Sequence, residues 1–167
     1  MIMINYKHGE FRFNFRVAGL IFNDKRLLVH RMKKDDFYAL PGGRAEMMEN
    51  TEMTIVREMK EELDIDVRVD RLLWIGEHFF NYNGEKFHEI CFYYSLECTD
   101  KNLNIKDSSF ETVEEGHEFE FKWVSINKLK DEVFYPVFIK DRIHNLPKSI
   151  EKFVEIDDKS DMKFFRK

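Results

Sequence analysis

The sequence has few cysteines and no long apolar run. Its two cysteines, Cys91 and Cys98, are seven positions apart and lack the spacing of metal ligands, which predicts free thiols in a reducing compartment. No stretch approaches the roughly 18 apolar residues of a membrane-spanning helix, and residues 1–11 lack the apolar segment of a secretory signal. We therefore expect a cytoplasmic protein that has no membrane partner.

The chain also lacks an excess of basic residues. Its 27 lysines and arginines are outnumbered by 32 acidic residues, and the net charge is −5. This balance argues against a surface for polymeric nucleic acid, although a local basic pocket for phosphate is compatible with it. Because no repeat or low-complexity segment interrupts the 167 residues, we expect one domain with a substantial core.

What the sequence does contain is an acidic helix that follows a Pro-Gly-Gly turn. Helical spacing predicts that Glu58, Glu61 and Glu62 project their carboxylates to one side within a single turn. Such crowded like charges repel one another, and hard divalent cations bind carboxylate oxygens. A bound cation would therefore stabilise this face, and Arg57 can supply part of the compensation by reaching Glu61 and the preceding loop.

Charged runs on helices are most often solvated surface, so the wider spacing decides the interpretation. Glu49 follows Gly43 by six positions, Arg57 follows Glu49 by eight, and the Glu61-Glu62 pair comes four and five positions after Arg57. This long, gapped pattern resembles the Nudix box. The matching residues are Gly43, Glu49, Arg57, Glu58, Met59, Glu61, Glu62 and Ile65.

Two positions depart from the box that the chain resembles. Asp64 stands where the family has its last glycine, just past the helix end. Because Asp tolerates the left-handed conformation better than most residues, we expect a small stability cost there. Met48 stands where many members have glycine, which bears on the path of the loop and leaves the helix carboxylates untouched.

Periodicity and turn signals predict alternating strands and helices. The predicted strands are 15–22 and 26–32 as one hairpin, 67–80 and 86–97 as a second, and 119–124. The predicted helices are 51–63, capped by Asn50 or Thr51, then 126–130 capped by Ser125, and 133–144. Residues 1–14 are expected to form an edge strand or an arm, and 101–116 an exposed loop.

The first predicted helix has an apolar stripe. It contains Met53, Val56, Met59 or Lys60, and Leu63. We expect this stripe to be buried and the carboxylates to face away from it.

The resemblance implies an α+β fold, the Nudix α/β/α sandwich with a mixed sheet, over residues 15–144, followed by a charged tail at 145–167. It implies cleavage of a phosphoanhydride in a nucleoside diphosphate linked to another moiety, which includes nucleoside triphosphates, nucleotide sugars such as ADP-ribose, and dinucleoside polyphosphates. The implied cofactor is Mg²⁺, with Mn²⁺ as a substitute, and the partner is a small nucleotide. A homodimer is compatible with the resemblance.

The resemblance also assigns roles within the site. The residues matching metal ligands are Glu58, Glu62 and the carbonyl of Gly42, with Glu61 assisting. Similar proteins often add a glutamate from a later loop as metal ligand or base, and Glu118 is the choice here, with Glu115 and Glu120 as alternatives. The implied catalytic set is Glu58, Glu61, Glu118 and Arg57.

Candidate substrate contacts lie outside the helix. Arg31 and Arg44 are placed where similar enzymes meet phosphate, which arginine binds through its bidentate fork. An aromatic set that includes Tyr38, Phe80 and Tyr82 could stack on a nucleobase, although core packing is the alternative for each. His88 lies on a predicted strand and is a further candidate, with a purely structural role as its alternative.

Two other functions stay open. The first is a nucleotide-binding Nudix domain without catalysis, against which the three mutually repelling acids argue. The second is an isomerase of the isopentenyl diphosphate type, which needs a catalytic cysteine outside the box, whereas Cys91 and Cys98 lie on a predicted strand. The sequence does not select the leaving group or the base.

Overall fold

The computed structural model describes residues 2–99, 109–114 and 116–157, and within them it contains eight strands, two α-helices and one 3-10 helix. The strands are β1 Asn5–His8, β2 Phe11–Asn23, β3 Arg26–Met32, β4 Val67–Tyr82, β5 Glu85–Cys98, β6 Ser109–Glu114, β7 His117–Ser125 and β8 Glu151–Ile156. The helices are α1 Thr51–Leu63, the 3-10 helix Ile126–Asp131 and α2 Phe138–Arg142. The predicted α+β class with a mixed sheet is confirmed.

Both predicted hairpins are present in the sheet, whose strand order is β6-β7-β3-β2-β5-β4-β8 with β1 paired to β2. β2 runs antiparallel to β3, and β4 runs antiparallel to β5 around a turn in which Asn83 and Gly84 have positive φ. β2 begins earlier than predicted because its first residues pair with β1 and also run parallel to β5.

Helix α1 begins and ends where the sequence predicts. Asn50 caps it by accepting a 2.8 Å hydrogen bond from the backbone N–H of Met53. Asp64 has φ of 52° and ψ of 35°, and its N–H donates to the carbonyl of Lys60. The left-handed cap expected at Asp64 is therefore confirmed.

The buried face of α1 is only partly the predicted one, because Met59 and Leu63 pack inward as predicted while Met53 and Val56 do not. Ile55 and Met59 are fully buried, whereas Met53 is 58% exposed and Val56 is 40% exposed. The buried stripe is shifted because Ile55 packs with the apolar side chains of β2 and β5. The expectation that the carboxylates face away from the core is therefore wrong for Glu58 and Glu62, which are among the buried residues of the helix.

Three further elements differ from prediction. β6 occupies 109–114 within the predicted loop, while 100–108 and 115 lie outside the described residues. α2 is shorter than the predicted helix because residues 133–135 are instead bonded to Tyr38. The N–H of Tyr38 donates to the carbonyl of Val133, and the N–H of Tyr135 donates to the carbonyl of Tyr38. The tail contributes β8, which pairs in parallel with β4 and packs Phe153 against the core.

The sheet separates two apolar clusters. Alternate residues of β2 point to opposite faces, so Val17 and Ile21 pack beneath α1, whereas Ala18 and Leu20 pack on the side of α2. The residues before Ala18 on that second face, Asn14 and Arg16, line an open cleft. No helix in the described part of the chain is long and apolar enough to cross a membrane.

Candidate functional site

The Pro-Gly-Gly turn is held against the middle of β2, between β1 and β3. The N–H of Val17 donates to the carbonyl of Gly43 at 2.8 Å, and the N–H of Gly19 donates to the carbonyl of Pro41 at 2.9 Å. A Cβ on Gly42, whose φ is +138°, would collide with the Val17 carbonyl oxygen. These contacts fix the turn next to α1.

Gly43 leaves room for a helix carboxylate. A Cβ at this position would overlap the carboxyl group of Glu58. Glu58 is only 7% exposed, and this burial raises its pKa. Glu62 is 6% exposed, and its Oε2 accepts a 3.2 Å hydrogen bond from the N–H of Gly42. The turn therefore buries two carboxylates at one end of the cleft.

Arg57 holds the remaining charges together. Its Nη1 donates to Glu58 and to Glu61, both at 2.8 Å, while Nε donates to Glu49 at 2.9 Å. Its Nη2 reaches the carbonyl of Arg44 at 3.1 Å. Hydrogen bonding to Arg57 lowers the pKa of Glu49. The predicted compensation of the acidic face by Arg57 is confirmed, and it acts through four partners.

The donor set fits a hard divalent cation, although the acids are not arranged around one. Carboxylate and carbonyl oxygens are the ligands that Mg²⁺ binds in proteins. Within residues 2–99, 109–114 and 116–157, no three His, Cys, Asp or Glu side chains converge on a metal position. Arg57 instead bridges Glu58 and Glu61. The metal-ligand roles of Gly42, Glu58, Glu61 and Glu62 stay predictions.

A buried histidine that the sequence did not indicate lies beside these acids. His30 is 6% exposed, its ring contacts those of Phe119 and Phe121 at 5.7 and 5.3 Å, and its Nδ1 lies 3.5 Å from Glu62 Oε1. Burial, followed by the charge of Arg16, lowers the pKa of His30 to about 3. The ring is therefore neutral at pH 7, and its approach to Glu62 is not an ion pair.

A row of polar side chains crosses the sheet at the floor of the cleft. Asn14 is 3% exposed and Glu89 is 8% exposed, and the amide of Asn14 donates to Glu89 at 2.6 Å. Arg44 Nε donates to the side-chain amide oxygen of Asn14, Oδ1, at 2.7 Å. Burial and the charge of Arg16 lower the pKa of Arg44. Arg16 and Arg44 are backbone bridge partners and both line the cleft, so two positive charges lie beside its acidic end.

The row continues to the last strand. His78 is 5% exposed, its Nε2 shares a 2.7 Å hydrogen bond with the hydroxyl of Tyr93, and its Nδ1 lies 3.3 Å from Glu155 Oε2. Glu155 also accepts from the N–H of Phe138 at 3.0 Å. In the sequence of β2, Asn14 and Arg16 alternate with apolar residues. This alternation was the signal that could have predicted the β2 end of the row.

Aromatic side chains line the other wall of the cleft, whose volume is about 1110 Å³. Phe80 and Phe87 stack with ring centroids 4.9 Å apart. The hydroxyl of Tyr82 donates to Asp35 at 2.9 Å, and burial together with this bond raises the pKa of Tyr82 to about 12. Phe80 and Tyr82 lie in the cleft, as a role in substrate contact requires.

The predicted phosphate contacts Arg31 and Arg44 lie in the cleft lining. The predicted substrate contacts Tyr38 and His88 do not. Arg31 is paired with Glu120 at 2.7 Å and lies over the ring of Tyr38, which is 7% exposed and belongs to the core. His88 points to the opposite face of the sheet from the cleft, where it stacks on Phe79 at 4.5 Å. The substrate-contact roles of Tyr38 and His88 stay predictions that this placement does not favour.

Glu118 is also absent from the cleft lining. Its side chain is 61% exposed and lies 3.4 Å from Lys33. On β7, His117 and Phe119 line the cleft, whereas Glu118 lies beside Lys33 and Glu120 is paired with Arg31. Glu115 lies outside the described residues. The catalytic role of Glu118 stays a prediction that this placement does not favour.

Solved structures match this fold at low sequence identity. A MutT protein from Bacillus halodurans has a TM-score of 0.59 at 14% identity, with 87% of this chain and 92% of the other covered. A NUDIX hydrolase from Nitrosomonas europaea has a TM-score of 0.56 at 13% identity, with 87% and 79% covered. These similarities concern the fold alone.

Two curated relatives match shorter stretches. An ADP-ribose pyrophosphatase of Methanocaldococcus jannaschii is 39% identical over 62 residues, which are 35% of this chain and 37% of the relative. Bacillus subtilis YjhB, provisionally named an ADP-ribose pyrophosphatase, is 29% identical over 85 residues, or 50% and 41%. Each match therefore spans about two fifths of the relative. A sequence model of the NUDIX domain matches residues 12–141, so the chain belongs to the Nudix family.

Proposed function

We propose that this protein hydrolyses a phosphoanhydride bond in a nucleotide sugar in a reaction that depends on Mg²⁺, and that ADP-ribose is the first substrate to test. The observation that carries the proposal is the burial of Glu58 and Glu62 at the end of a cleft that also presents Arg16 and Arg44. Acids for a metal and arginines for phosphate then lie side by side. The names of the two curated relatives favour ADP-ribose within this class.

The residues divide the work. Glu58, Glu61, Glu62 and the Gly42 carbonyl would hold Mg²⁺, which when bound would neutralise charge and lower the pKa of a water. Arg16 and Arg44 bind the diphosphate and relieve their own mutual repulsion by doing so. The base takes a proton from the attacking water, the water oxygen bonds to one phosphorus, and the bond from that phosphorus to the bridging oxygen breaks, so the bridging oxygen leaves with the second phosphate.

The wide cleft suits the two ends of a nucleotide sugar. The stacked pair Phe80 and Phe87 offers a surface for a base. Glu89 and Glu155, on the same wall as Asn14, offer acceptors for ribose hydroxyls. A triphosphate would place further negative charge among these carboxylates, which is why a sugar is the favoured second moiety.

A box glutamate is the favoured base, because Glu118 is paired with Lys33 outside the cleft. Turnover of Glu118→Gln and of Glu120→Gln is therefore expected to stay within a few-fold of wild type, while Glu61→Gln is expected to lose at least tenfold. Steady-state rates on the three variants decide the assignment. A strong loss of turnover in Glu118→Gln alone would instead assign the general base to Glu118.

The isomerase alternative is weakened by the cysteines. Cys91 is 1% exposed in β5, and burial raises its pKa, which are the properties of an unreactive thiol. Cys98 lies near the end of the same strand.

The test is a panel of nucleotides incubated with purified protein and Mg²⁺. It should include ADP-ribose, UDP sugars, nucleoside triphosphates and dinucleoside polyphosphates, with Glu58→Gln as the matched protein blank. The expected result is cleavage of ADP-ribose to AMP and ribose 5-phosphate at the highest kcat/KM. Tight binding without any product would instead support the non-catalytic binding domain.

A further inference from the structure

His30 carries an unpaired nitrogen at the edge of the acid cluster. Its side chain is 8% exposed, and Nδ1 is buried without a hydrogen-bond partner among the described residues. The contacts with Phe119 and Phe121 restrict rotation of the ring. A buried polar atom that lacks a partner is costly, so this one needs an explanation.

The other ring nitrogen of His30 is engaged. The His30 ring also interacts with the backbone of Leu40, and because Nδ1 has no partner, we assign this contact to Nε2–H. A proton on Nε2 leaves the Nδ1 lone pair free in the neutral ring. Nδ1 and Glu62 Oε1 are therefore two acceptors that face each other at 3.5 Å.

A metal ion would give Nδ1 the partner that it lacks and would bind the neighbouring carboxylate of Glu62. Histidine ligands usually donate their second N–H to a carbonyl or carboxylate, as His30 does to Leu40. Two donors each about 2.0–2.2 Å from one ion lie about 3.0–3.5 Å apart, and the 3.5 Å spacing of Nδ1 and Oε1 falls at the end of this range. The side chains are thus spaced for a shared ion.

We infer that His30 Nδ1 and Glu62 Oε1 together bind one divalent metal, and that this nitrogen ligand makes the site prefer a first-row transition ion such as Co²⁺ to Mg²⁺. Imidazole suits transition ions, whereas Mg²⁺ prefers oxygen ligands and retains its waters. The inference deepens the proposed function and rests on it for the location of the metal. It adds a ligand from β3 that lies outside the box.

The test compares metal binding by metal-free proteins without nucleotide. His30→Gln keeps an N–H donor for Leu40 and removes the nitrogen that faces Glu62. Calorimetric titration should show a loss of tenfold or more in Co²⁺ affinity and less than a threefold change in Mg²⁺ affinity. The control is His144→Gln, the same change at an exposed histidine, which should match wild type for both ions. Unchanged Co²⁺ affinity in His30→Gln, or equal losses for both ions, would overturn the inference.

A second measurement needs no variant and decides the matter if His30→Gln does not fold. Proton NMR of the Co²⁺-loaded wild type should contain a strongly shifted, solvent-exchangeable signal from His30 Nε2–H, which disappears in D2O. Its absence overturns the ligand assignment. Because neither measurement uses nucleotide, a protein that binds Co²⁺ through His30 yet cleaves no substrate would refute only the proposed function. Cleavage without this binding would refute only the inference.

Discussion

The acidic face of α1 and the polar row across the sheet are built in opposite ways. On the helix, Glu58 and Glu61 are three residues apart and share one partner, Arg57. The row takes one residue from each of β2, β5, β4 and β8, and strand register alone makes them neighbours. Its members are Asn14, Glu89, His78 and Glu155.

This difference suggests a division of labour. The helix carboxylates crowd like charges that a single arginine compensates, so they can accept a cation. In the row, Asn14 donates to Glu89 and His78 bonds to Tyr93, so its polar groups satisfy one another. Changes on the helix should therefore affect turnover first, and changes in the row should affect stability first.

The largest expected effect is on the helix. Glu58→Gln removes a metal-facing charge and keeps the shape, so turnover should fall by about a hundredfold or more. The melting temperature should change little, because the charged form of Glu58 is already disfavoured by burial. Glu62→Gln should behave in the same way.

The control for this prediction is Glu52→Gln, which removes an exposed charge from the same helix. Steady-state rates and thermal melts on the variants test it. Near-wild-type turnover in Glu58→Gln would contradict a catalytic role for the acidic face of α1.

Substitutions in the polar row should lower the free energy of unfolding. Asn14→Ala removes the hydrogen bonds that Asn14 makes with Glu89 and Arg44, which should cost about 1–3 kcal/mol of unfolding free energy. Urea unfolding measures the loss, and Asn5→Ala, at an exposed asparagine, should stay within about 0.5 kcal/mol of wild type. A hundredfold loss of turnover with unchanged stability would reverse the roles of the two regions.

The same contrast explains what the sequence could predict. The spacing of Glu58, Glu61 and Glu62, the Asn50 cap and the Asp64 turn are local, and local patterns carry them. The expectation that the α1 carboxylates face away from the core failed because Glu58 and Glu62 are buried against Gly43 and Gly42, which the tertiary position of the turn places there. No helical pattern contains that information.

Long-range pairing accounts for the other misses. His30 meets Glu62 because the segment around the Pro-Gly-Gly turn hydrogen-bonds both to His30 of β3, through Ala39, and to Glu62 of α1, through Gly42. β8 contributes Glu155 because a charged tail pairs with β4. Glu118 was predicted by its position in the chain, and the alternation along β7 directs its side chain to Lys33 instead.

Low pH should weaken the ion pair between Glu49, in the loop before α1, and Arg57 on the helix. Arg57 lowers the pKa of Glu49 below its ordinary 4.5. A carboxyl with a lowered folded pKa stabilises the protein above about pH 4.5, and this contribution is lost as the pH falls through the folded value. Glu49→Gln should therefore cost about 1–2 kcal/mol at pH 7, with the gap to wild type closing below pH 4.5. A gap that stays constant from pH 7 to pH 3 would contradict this account.

The smallest expected effect is stabilisation by the metal. Mg²⁺ at ten times its dissociation constant should stabilise the wild type by about 1.4 kcal/mol, because it binds only the folded state. Thermal melts with and without Mg²⁺ should show a smaller gain for Glu58→Gln than for wild type or Glu52→Gln. Equal gains in all three proteins would place the metal elsewhere.

The most direct test of metal-dependent hydrolysis on the α1 face is product analysis during metal removal and return. Wild type is incubated with ADP-ribose and Mg²⁺, an excess of EDTA is added, and excess Mg²⁺ is then restored, with AMP and ribose 5-phosphate measured throughout. The account predicts that equal amounts of both products form, that their formation stops with EDTA, and that it resumes with Mg²⁺. Product formation that continues unchanged in EDTA, or intact ADP-ribose throughout, would contradict it.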